Sequence, residues 1–112
     1  MNVSFNGIGE RLVTFLGSSV TRGHVVKVSG AGTVSSCAEG NAFDGVAMFS
    51  EGGCVAVRMG GFVTVSYSGT APSYGRNILV ANGTGGVKTA ESGDTYVVVE
   101  KNTTAKTVTI IL

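Results

Sequence analysis

The apolar positions of this chain recur with a period close to two. In Val55-Ala56-Val57-Arg58-Met59, Val55, Val57 and Met59 share one phase and Ala56 and Arg58 the other. Val63-Thr64-Val65-Ser66-Tyr67 alternates in the same way, and Thr107-Val108-Thr109-Ile110-Ile111-Leu112 puts Val108, Ile110 and Leu112 on one side. Successive side chains of a strand point to opposite faces, so this alternation predicts sheets with one buried face. The stiff, branched side chains of Val and Thr suit such a pleated, half-covered surface. Further strands are expected at Arg11–Leu16, His24–Ser29, Thr33–Cys37, Phe43–Phe49, Arg76–Val80, Gly86–Thr89 and Tyr96–Lys101.

Between these runs lie Gly30-Ala31-Gly32, Gly52-Gly53, Gly60-Gly61, Asn82-Gly83 and Gly85-Gly86, the residues that tight turns between strands require. No segment sustains a helical period, and Gly17 to Gly23 reads as a loop or one helical turn. Short strands broken every few residues predict an all-β fold, a small β-barrel or two-sheet β-sandwich of roughly eight to ten strands. That single β domain is expected to run from residue 10 to residue 112. Residues 1–9 differ: Val3, Phe5 and Ile8 stand isolated among Asn and Gly. They read as a flexible N-terminal arm that orders against a partner or neighbouring subunit, or equally as a short edge strand or frayed end.

Composition sharpens this picture. Gly fills 18 of 112 positions, about twice its usual share. Charged residues make up 13 %, about half the ordinary figure, and the net charge is +1. The eight basic residues are scattered, so there is no basic stripe of the kind that displaces counterions from nucleic acid. No apolar run approaches the ~20 residues of a membrane-spanning helix. The first ten residues lack the basic start and apolar stretch of a signal peptide, so synthesis and retention in a cytoplasm are expected. A small core favours self-association or docking on something larger.

The candidate chemistry is thin. Cys37 and Cys54 are the only cysteines, and without a secretory signal they read as buried small hydrophobes rather than a disulfide. With His24 they do not make up a usual zinc site, so no metal or other cofactor is expected. His24 is the one histidine and reads as a strand-end residue, and the seven carboxylates are dispersed. Gly83-Thr84-Gly85-Gly86-Val87-Lys88-Thr89 imitates a phosphate loop, but Val87 separates glycine from lysine and the context is strand–turn–strand. Lys88 resembles a carrier-domain lysine only by position, because Val87 and Thr89 flank it. No enzyme is expected. Tyr67 and Tyr96 fall on core phases, whereas Tyr74 lies in the loop Ser68 to Gly75 and is a candidate for exposed contact. Arg58 stands mid-strand, on a solvated outer face or at a contact between subunits.

The order of the segments carries one resemblance. Gly23-His24-Val25-Val26-Lys27-Val28, Glu39-Gly40-Asn41-Ala42-Phe43 and Gly45-Val46-Ala47 are followed by Val55-Ala56-Val57-Arg58 and by Gly61 to Gly69. Pro72, Gly75, Leu79 to Lys88, Tyr96 to Glu100 and Lys106 to Leu112 complete the series. Over Gly23 to Leu112 the chain resembles the capsid cement, or head decoration, proteins of tailed phages and prophages. The resemblance implies a small, non-enzymatic β protein of the virion, made in the cytoplasm of a bacterial host. It implies binding to the major capsid protein on the outer head surface, as a homo-trimer, with reinforcement of the shell. On that reading Val3, Phe5, Ile8, Arg58 and Tyr74 are the candidates for capsid or subunit contact. The alternative is a carbohydrate- or receptor-binding β module of a virion or cell surface.

Overall fold

A computed structural model describes residues 11–17 and 20–112. The strands are β1 (Arg11–Leu16), β2 (Val25–Gly30), β3 (Thr33–Ser36), β4 (Gly45–Glu51), β5 (Cys54–Gly60), β6 (Phe62–Ser66), β7 (Gly75–Ala81), β8 (Val87–Thr89), β9 (Thr95–Asn102) and β10 (Thr107–Ile111). Each expected strand forms, with ends displaced by two residues at most. The expected arm at residues 1–9 lies outside the described residues.

The first five strands close a barrel in the order β1-β3-β2-β4-β5. Closure rests on the parallel pair Leu16↔Thr33 between β1 and β3. The last five form an antiparallel sheet in the order β6-β10-β9-β7-β8. That sheet curls until its ends meet, through a bridge between Tyr67 and Val87 and a bond from Ser68 N to Val87 O of 3.1 Å. The expectation of a small barrel or two-sheet stack is met by a barrel packed against a curled sheet.

Two cores follow from this arrangement. The barrel is filled by Val20, Val26, Val34, Ala47, Val55 and Val57, with Phe15 and Met59 at its margin. A five-stranded barrel is narrow, so small and branched side chains fill it. The second core joins Val25, Cys37, Phe43 and Val46 to the inner face of the curled sheet, including Val63, Val65, Leu79, Val98, Val108 and Ile110. Strands β2 and β4 therefore form a wall between two cores. Val25 pairs with Val46 and Val26 with Gly45. On that wall Val25, Val26, Val46 and Ala47 each keep 1 % or less of their surface exposed.

Gly45 lets the wall approach β5. A Cβ there would lie 2.5 Å from Val57 Cγ1 and 2.6 Å from the Arg58 carbonyl oxygen. We expect Gly45→Ala to lower the stability measured by urea unfolding by about 1–3 kcal/mol, the range for overpacking. Gly30→Ala is the control: its Cβ would find only Thr33, at 3.9 Å, and a change within about 0.5 kcal/mol is expected.

The loop between β3 and β4 locks the two halves. Gly40 N donates to Ala81 O and Ala81 N to Asn41 O, each at 2.9 Å. Asn41 Oδ1 accepts from Lys27 Nζ at 2.9 Å and from Ala38 N at 3.0 Å, which holds the loop in shape. Phe43 stacks on Tyr96 with ring centroids 4.8 Å apart, and Tyr96 Oη donates to Phe43 O at 3.2 Å. Burial, with smaller contributions from the Asp94 and Asp44 charges, pushes the Tyr96 phenol up to about 12. The folded state then holds this proton more tightly than the unfolded chain, so stability contributed below pH 10 is lost as pH rises toward about 12. We expect Tyr96→Phe to cost about 1 kcal/mol at neutral pH through its lost hydrogen bond. The variant should also show a shallower alkaline decline in urea midpoint, and equal slopes would refute the assignment.

Candidate functional surfaces

The barrel presents an uncovered apolar face. Strand β1 pairs with β5, and β5 with β4, so Thr14, Ala56 and Phe49 lie in one row and Leu16, Cys54 and Glu51 in the next. Val55 and Val57 point into the barrel, so these rows point outward. Leu12, Leu16 and Phe49 are 54 %, 59 % and 56 % exposed. Scattered exposed leucines are ordinary, but a contiguous apolar face on paired strands marks a surface for a partner. Strand β4 shows how the face arises. Val46 is covered by the curled sheet and Met48 packs at its margin, but Phe49 lies beyond it. A bulge between Ala47 and Phe49 keeps Phe49 on the outward phase.

The other sheet offers a polar face. Thr64, Thr109 and Glu100 form one row across β6, β10 and β9, and Ser66, Thr107 and Asn102 the next. Thr64 and Thr109 hydroxyls bond to each other at 2.8 Å. With Lys101 these strands enclose a shallow depression of about 250 Å³.

The sequence-predicted residues are dispersed. Tyr74 is 62 % exposed, with Lys101 Nζ 4.9 Å from its ring centre and bonded to Pro72 O at 3.2 Å. Arg58 is half-buried, not a solvated side chain: its Nη1 donates to Phe62 O at 3.1 Å across the turn between β5 and β6. Val3, Phe5 and Ile8 lie outside the described residues. Both cysteines are free, but only Cys37 is buried. Cys54, read from sequence as a small core residue, sits exposed in the outward row, because it begins β5 one position out of phase with Val55. Burial raises the Cys37 thiol above its ordinary value.

No catalytic grouping assembles from the rest. His24 caps the entry to β2, with its ring against the position a Cβ on Gly85 would take. Asp44 Oδ2 accepts from Val28 N at 2.8 Å, and Glu39 pairs with Lys88 at 2.8 Å, which lowers the Glu39 carboxyl below its ordinary value. Among the described residues, no three His, Cys, Asp or Glu side chains stand together as a metal site. The glycine-rich loop after β7 closes on itself: Asn82 Oδ1 accepts from Thr84 N at 2.9 Å and from Thr84 Oγ1 and Gly86 N at 3.0 Å.

No family model and no curated protein matches this chain. The functional reading therefore rests on the surfaces themselves.

The outward face was missed by sequence reading, although β1 held its signal. Leu12 and Leu16 occupy one phase and Val13 and Phe15 the other, so the strand is apolar on both sides. Cys54 also serves as a reporter of that face. We expect a chromogenic disulfide reagent to titrate one thiol rapidly in the native protein and the second only on unfolding. Two fast thiols, or none, would contradict the placement of Cys37 and Cys54.

Proposed function

We propose that this protein is a structural component of a virion, a head decoration or cement protein that binds the outer capsid surface and stabilises the shell. The observation that carries the reading is the outward apolar face of Leu12, Leu16, Phe49, Cys54 and Ala56 on a closed barrel. Its support from sequence is the resemblance that runs from Gly23 to Leu112. The proposed partner is the major capsid protein, with copies of this chain grouped as trimers.

The physical logic is one of additive surface contacts. Covering Leu16 or Phe49 removes apolar area from water, at about 25 cal/mol per Å². Few ions stand in the way, so docking avoids the cost of burying unpaired charge. A partner that binds only the folded form also stabilises it by mass action. Many copies spread across neighbouring shell subunits hold them together by multivalency.

Co-sedimentation with matched, purified expanded heads tests the proposal. The wild-type chain should saturate at a fixed ratio to shell protein. Leu16→Glu combined with Phe49→Glu should weaken binding at least about tenfold, equivalent to 1.4 kcal/mol, while circular dichroism stays unchanged. No binding of the wild-type chain to matched heads would end this reading.

A further inference from the structure

The polar face of β6, β10 and β9 has a chemistry unlike that of the barrel. Thr64, Thr107, Thr109, Glu100, Lys101 and Asn102 line its depression. Several of their polar groups are not engaged. Neither the Glu100 carboxylate nor the Thr107 hydroxyl has a hydrogen-bond partner among the described residues. Asn102 uses Oδ1 to cap the turn after β9, accepting from Thr104 N at 3.0 Å and Ala105 N at 2.9 Å. Its Nδ2 donors stay available. The Thr64–Thr109 pair shares one hydrogen bond between two hydroxyls, so one O–H remains to donate elsewhere. At the rim, Lys101 connects the depression to Tyr74, whose ring is mostly exposed.

We infer that this face binds a neutral oligosaccharide. A sugar's adjacent hydroxyls each donate and accept, and they match a surface that mixes a carboxylate acceptor, amide donors and hydroxyls able to do both. At about 250 Å³ the depression is smaller than the roughly 300–1,000 Å³ of drug-sized pockets and suits a single sugar unit of a longer chain. The Tyr74 ring supplies a flat apolar surface for the C–H face of a neighbouring unit. Glu100 and Lys101 offset each other in charge, so an uncharged ligand meets no net field, whereas an anionic chain would face the open Glu100 carboxylate. The strands beneath are hydrogen-bonded to one another along their length, so the groups are held in place before the ligand arrives.

The site is separate from the barrel face, and the two readings stand or fall independently. Calorimetric titration of the full chain with maltohexaose, cellohexaose and the hexamer of N-acetylglucosamine tests it. A parallel readout is acrylamide quenching of tyrosine fluorescence. The chain has no Trp and three Tyr, of which Tyr67 is buried and Tyr96 half-buried, so quenching reports chiefly on Tyr74. At least one probe should bind saturably, with a Kd of roughly 1 mM or tighter, and should shield the fluorescence. Tyr74→Ala and Glu100→Gln, both at exposed positions, should each weaken that binding about tenfold in calorimetry, or 1.4 kcal/mol. The Leu16→Glu, Phe49→Glu protein should bind the probe as the wild type does. No heat and no shielding with any of the three probes would overturn the inference. So would binding that both Tyr74→Ala and Glu100→Gln leave intact.

Discussion

The wall made by β2 and β4 is the constraint on which the rest depends. Val25 and Val46 face one core, and Val26 and Ala47 face the other. Each half of the chain is too small to bury much apolar surface alone, and a wall that serves two cores makes their formation mutual. The approach of β4 to β5 that Gly45 permits is part of the same device, because a larger residue would push the wall off its neighbour. An opening between the halves would expose Val25, Val46 and Phe43 together, so the barrel and curled sheet hold as one body.

Polar contacts then fix how the halves are oriented. Hydrophobic burial is non-directional and would tolerate sliding of the sheet over the wall. The loop between β3 and β4 removes that freedom. Its Gly40 and Asn41 exchange backbone bonds with Ala81, and Phe43 both stacks on Tyr96 and accepts its phenol. The exposed Glu39–Lys88 pair crosses the same joint, but an ion pair so open to solvent contributes little beside the buried contacts. The outer faces of the two halves are thereby held in a fixed relation, which a protein acting through surfaces requires.

The sequence displayed the strands more clearly than the surfaces. Alternation in Val63-Thr64-Val65-Ser66-Tyr67 named both the strand and its buried side, since only one of its faces meets a core. The wall broke the pattern in an informative way. Val25-Val26 and Val46-Ala47 do not alternate because both faces are covered, and such continuous apolar runs are the mark of a strand between two layers. The apolar face of β1 has the same appearance in sequence, yet only its inner side is covered. Nothing local to Leu12 and Leu16 separates a residue covered by its own chain from one left open, because that depends on where the curled sheet ends. Arg58 and Cys54 were misplaced for related reasons. A turn brings the Phe62 carbonyl within reach of Arg58, and Cys54 differs by one strand phase from its buried neighbour Val55.

The closure of both halves also decides how this molecule meets others. An open sheet edge presents unpaired N–H and C=O groups and recruits any extended chain with little discrimination. Here β1 closes on β3, and the ends of the second sheet meet at Tyr67 and Val87, with β8 only three residues long. Recognition is left to side chains on flat faces, where selectivity depends on the pattern of groups displayed. The two faces display opposite patterns: leucine, phenylalanine and a thiol on the barrel, and hydroxyls with a carboxylate on the sheet. A surface suited to one kind of partner is poorly suited to the other, because an apolar partner would leave Glu100 unsolvated and a hydroxyl-rich one would gain nothing from Leu16. Two closed sheets with contrasting exteriors thus give a small chain two distinct modes of contact without an exposed strand edge as their source.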